Sequence, residues 1–165
     1  MTGSRNTSRN ATRSPDDLGA LPEWDLGDLY PGMDSSEFAA DFNAAVSRSE
    51  VFAENYKGQL SRLLGRGGDA LAKAVMAYEK LQDELGRIVS YAGLIYAWDS
   101  SDPMNGKFYG DVQEQLTLAG SHLLFFSLEL NQLDEADIEA AARASAKLAY
   151  YLPWLKDLRL DKPHQ

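Results

Sequence analysis

Three long stretches of this chain repeat mostly apolar or small residues at spacings of three and four, strictly alternating in the first. Phe38, Phe42, Ala45, Ser49, Phe52 and Tyr56 form the first. Leu71, Val75, Tyr78, Leu81, Leu85, Ile88, Ala92 and Ile95 form the second. Phe108, Val112, Gln115, Ala119, Leu123, Phe126 and Leu130 form the third. That period places each set on one face of an α-helix and excludes the two-residue alternation of a strand. Met76, Val89, Leu94 and Trp98 widen the second band, which predicts burial on more than one side.

The punctuation agrees with the period. Asp34-Ser35-Ser36-Glu37 reads as a capping box with Asp34 as N-cap, and Gly58 as a stop. Gly65-Arg66-Gly67-Gly68 reads as a flexible turn. It lacks the Lys-Ser/Thr pair and preceding strand of a phosphate loop. Asp69 is placed to cap the second helix. Asp102 followed by Pro103 opens the third, and Asn131 is placed to end it in the left-handed conformation. Leu133 and Ile138 fit a hydrophobic staple around Asp134, with a short helix running to about Ser145. A last helix carries Tyr151, Trp154, Leu155 and Leu158, with Pro153 in its first turn. Gly86 and Gly93 inside the second helix predict a close crossing or a bend. The expected fold is all-α, with about three long and two short helices and antiparallel neighbours.

Residues 1–20 are of another kind, rich in Ser, Thr, Asn and Arg and nearly free of large apolar groups. They read as a disordered head. Arg5, Arg9 and Arg13 resemble a transit peptide in charge, but the apolar face such a peptide needs is missing. Asn6-Thr7-Ser8 and Asn10-Ala11-Thr12 match the glycosylation pattern by chance, since no secretory signal precedes them. Residues 21–33 form an apolar loop, with Leu21, Trp24, Leu26, Leu29 and Tyr30 between prolines and glycines, expected to be pinned onto the helical domain of residues 34–165.

Composition removes whole classes of chemistry. There is no cysteine, so no disulfide framework, thiol nucleophile or Cys-type zinc site. His122 and His164 are far apart, and His122, amid leucines, reads as a core or interface residue. The formal charge of -9 argues against nucleic acid as a partner. No apolar run is long enough to span a membrane and no signal-type segment follows the start, so a cytoplasmic protein is expected.

The remaining candidates are few. Asp99 and Asp102 at a tight turn, and Glu79, Asp83 and Glu84 on one helix, read as caps and a solvated face. Glu129, between Leu128 and Leu130 in an apolar helix, reads as a carboxylate paired with a core Arg. Ser90-Tyr91-Ala92-Gly93-Leu94-Ile95-Tyr96-Ala97-Trp98-Asp99 is the most aromatic helical stretch. An aromatic stripe ordinarily belongs to a core, yet tyrosine hydroxyls need a partner or water. Tyr91, Tyr96, Trp98, Asp99 and Glu129 are therefore the candidates for lining a channel or an interface.

Several segments together resemble the oligoendopeptidase F family of zinc metallopeptidases, in the wider thimet oligopeptidase group. Trp24-Asp25-Leu26-Gly27-Asp28-Leu29-Tyr30-Pro31-Gly32 is similar to its opening segment, and Phe52-Ala53-Glu54-Asn55-Tyr56-Lys57-Gly58 to its Phe-x-x-x-Tyr-x-Gly. Tyr78-Glu79-Lys80-Leu81, the Ser90–Asp99 stretch, Phe125-Phe126-Ser127-Leu128-Glu129-Leu130 and the tail with Tyr151, Leu155, Leu158 and Pro163-His164 follow in order. The resemblance covers residues 21–165. It implies the amino-terminal helical portion of a longer, mostly helical enzyme that hydrolyses short peptides in a deep channel. The His-Glu-x-x-His zinc site would lie downstream, outside this chain. It further implies no catalytic or metal residue here, no cofactor in this chain with zinc in the parent, and a missing catalytic domain as partner, with homo-oligomers expected from exposed apolar area. A freestanding helical interaction module, docking a partner helix on the band of residues 69–98, is the alternative.

Overall fold

The computed structural model describes residues 25–160, with the side chain of Leu160 excepted. The expectations placed on the head, on Leu21 and Trp24, and on Pro163-His164 lie outside the described residues. Within them the chain is all-α: α1 (Ser36–Tyr56), α2 (Leu60–Gly65), α3 (Gly68–Trp98), α4 (Pro103–Ser121), α5 (Leu124–Gln132), α6 (Glu135–Arg143) and α7 (Ala146–Leu160). No strand occurs among the described residues.

The period predicts the buried face well. Phe38, Ala45, Ser49 and Phe52 of α1 are buried, as are Leu71, Val75, Leu81, Leu85, Ile88 and Ala92 of α3. Ser49 is accommodated because its hydroxyl donates to the Ala45 carbonyl at 2.9 Å. α3 is the central element and packs antiparallel against α1 and α4, with α7 on its flank. Two ion pairs join α1 to α3: Arg48 with Glu84 at 3.0 Å, and Asp41 with Arg87. The Arg87 guanidinium also lies over the Tyr30 ring, 5.4 Å from its centroid. Tyr30 in turn donates to Asp41 at 3.1 Å and packs edge-on against Phe38 and Tyr91. Leu26 and Leu29 rest on the same core.

Helix boundaries depart from the sequence reading at several points. Ser35, not Asp34, caps α1, accepting from the Phe38 N–H at 3.2 Å. The segment after Gly58 contains a further helix, α2. Gly67, at φ +117, precedes α3, so Asp69 lies inside the first turn and is not its cap. Its carboxylate instead accepts from Ser145, whose oxygen caps α7 by accepting the Leu148 N–H at 3.2 Å. The third long helix is divided into α4 and α5. Here i→i+3 bonds from His122, Leu123 and Phe126 tighten one turn without rotating the apolar face away from the core. Asn131 is helical, since no non-glycine residue among those described has positive φ. Pro153 falls in the middle of α7 instead of its first turn. Asp102 and Asp134 cap α4 and α6 as expected.

Candidate functional site

The five candidate residues separate into three places. Tyr91 is 1% exposed, enclosed by Tyr30, Phe38 and Phe108, and burial pushes its hydroxyl pKa up, with Asp34 adding to the effect. It belongs to the upper core and lines no surface of this domain.

Tyr96, Trp98 and Asp99 sit at the α3–α4 end. Tyr96 stacks on Tyr109 of α4 with centroids 5.4 Å apart, and Tyr109 also lies 3.7 Å from where a Cβ on Gly93 would sit. Gly93 thus marks the approach of α4, whereas Gly86 meets nothing. Trp98 is 65% exposed, with exposed Met104 across the turn. Asp99 accepts from the Ser101 N–H at 2.9 Å and from its hydroxyl at 2.6 Å, and these bonds hold its carboxyl below the usual range. Asn105 closes the turn by donating to the Asp99 carbonyl at 3.0 Å. Asp99 is thereby committed to turn geometry.

Glu129 has no Arg partner among the described residues. Its carboxylate reaches from α5 to the α1–α2 junction and accepts the N–H groups of Gly58 at 2.6 Å and Leu60 at 3.3 Å. Gly58 stands at φ +75, a conformation that suits glycine, and its exposed N–H points at Glu129. Below it opens a cleft of about 920 Å³ edged by Ser61, Asp134 and Asp137. Its acids serve as helix caps or first-turn residues.

A more chemically varied recess lies elsewhere, between α3 and α7, with a volume of about 740 Å³. Tyr78, Tyr150 and Trp154 supply aromatic faces, and Glu79 and Asp83 supply carboxylates. Tyr151 donates to Glu79 at 2.5 Å, which holds its hydroxyl pKa up at about 12. The sequence reading set Glu79 and Asp83 aside as a solvated face and did not single out Tyr150. Only the packing of α7 on α3 brings them together.

His122 is exposed, not buried in a core or covered by another element of this domain. Among the described residues no group of three or more His, Asp or Glu side chains converges to hold a metal ion. No helix among them is long and apolar enough to cross a membrane. Comparison with protein-family models, curated proteins and solved structures matches none of them.

Proposed function

We propose that residues 21–165 form the amino-terminal helical domain of an oligoendopeptidase F-like zinc metallopeptidase, walling one side of a channel for short peptides. One contact carries the reading. Two separated segments on which the resemblance rests meet in the fold, where Glu129 of Phe125–Leu130 accepts the N–H that closes Phe52–Gly58, at 2.6 Å. A glycine at positive φ and a carboxylate inside an apolar helix are unusual choices separately. As a cap and its receiver they form one device.

The resemblance carries no zinc ligand or catalytic residue onto this chain, so no hydrolytic step is assigned to it. Its role is positional: a rigid helical wall that admits extended peptides and excludes folded proteins. The alternative of a freestanding module must use another surface than the band of residues 69–98, because α1, α4 and α7 already cover most of that band.

The coding sequence downstream decides between them. The proposal expects the frame to continue to a His-Glu-x-x-His motif. It expects the full product to cleave an internally quenched short peptide, losing activity to a chelator and regaining it with zinc. The 165-residue chain should be silent in the same assay. A stop codon directly after Gln165, or zinc-dependent cleavage by the 165-residue chain itself, overturns it.

A further inference from the structure

The α3–α7 cleft combines aromatic faces with carboxylates and has no Lys, Arg or His in its lining. Tyr150 is 77% exposed and Trp154 is half-turned to solvent beside Tyr78, their ring centroids 6.2 Å apart. Asp83 is exposed on the rim and has no ion-pair partner among the described residues. Such a lining suits a guanidinium, which stacks on aromatic rings and pairs with carboxylates. The acidic cleft near Glu129 differs, since it lacks aromatic rings and two of its acids, Glu129 and Asp134, are engaged at helix ends.

The chain itself supplies guanidinium groups. Twenty-four residues precede Asp25, and residues 1–15 contain Arg5, Arg9 and Arg13 with no Asp or Glu. Asp83 is one turn before Arg87 on the same face of α3, and Arg87 covers Tyr30, close to where the described chain begins. From Arg87 to Glu79 is about 12 Å along the helix. The twelve residues from Arg13 to Asp25 span up to about 40 Å. Reach is therefore ample, and tethering raises the local concentration of the arginines. We propose that the arginine-bearing head docks in the α3–α7 cleft, its guanidinium groups against Tyr150, Trp154 and Asp83.

Trypsin tests this on the whole chain, because it must take each arginine into its own pocket. Cleavage after Arg5, Arg9 and Arg13 is timed by mass spectrometry in the parent and in Asp83→Asn/Tyr150→Ala. At about 0.02 M salt the variant's head should be cut at least about five-fold faster, and the difference should vanish near 0.5 M salt. Glu114→Gln, on the exposed side of α4, should match the parent. Equal rates in parent and cleft variant overturn the proposal. So does equal acceleration by Glu114→Gln, which would indicate attraction to acidic surface in general. Should the cleft variant lose its helical circular dichroism, the reciprocal change decides. Arg5, Arg9 and Arg13 replaced together by Gln should speed nitration of Tyr150 several-fold, and an unchanged rate counts against docking.

Discussion

At Gly68 an added Cβ would lie 2.5 Å from the Ala141 carbonyl oxygen and 2.6 Å from Ser145 Cβ. Both obstacles belong to backbone or to a short buried side chain, so neither can swing aside. Gly68→Ala should cost about 1–3 kcal/mol by forcing the start of α3 away from α6, read as a lower urea midpoint with unchanged slope. Glu129→Ala should cost about 1–2 kcal/mol, since the Leu60 N–H is partly buried while that of Gly58 can turn to water. Glu129→Gln keeps one acceptor oxygen and should lose less. A third residue-level expectation concerns Tyr151. Its folded pKa of about 12 is above the ordinary 10.0, so the fold favours the neutral phenol. The associated stability is complete below pH 10 and is lost as pH rises toward 12. Absorbance titration of Glu79→Gln should bring this tyrosine back toward 10. A phenol still ionising near 12 would show that the bond to Glu79 is not the cause.

At the scale of elements, the periods of α1 and α3 were legible because each face is read against one continuous core. The division of α4 from α5 was not, because a turn with i→i+3 bonds preserves the same 119-123-126-130 spacing across the break. α2 escaped for its length: six residues leave too little pattern to distinguish from a loop. Arg159 shows how such short helices are held, donating to the carbonyls of Leu130 at 2.7 Å and Leu133 at 2.6 Å at the end of α5. α7 tolerates Pro153 in its interior, where the Ala149 carbonyl has no N–H to receive four residues on. Pro153→Ala should stabilise the domain by about 1–2 kcal/mol, below the roughly 3 kcal/mol of an isolated helix because proline also restrains the unfolded chain. A lowered melting temperature would show that the ring makes packing the cleft requires.

For the molecule as a whole, the exposed apolar side chains matter most. Leu124 and Leu128, one turn apart on α5, are 64% and 60% exposed. Sedimentation of the 165-residue chain should show concentration-dependent association, and Leu124→Glu with Leu128→Glu should suppress it. A clean monomer in the parent at high concentration would mean these side chains meet nothing. Fold class, the buried faces of the three long stretches and two of the caps followed from sequence alone, because helical period and capping are local properties spanning a few residues. The role of Glu129, the engagement of Asp69 by Ser145 and the cleft uniting Glu79 with Tyr150 did not. Each joins groups about seventy residues apart, and the lateral packing of helices, which no local pattern encodes, decided which of them would touch.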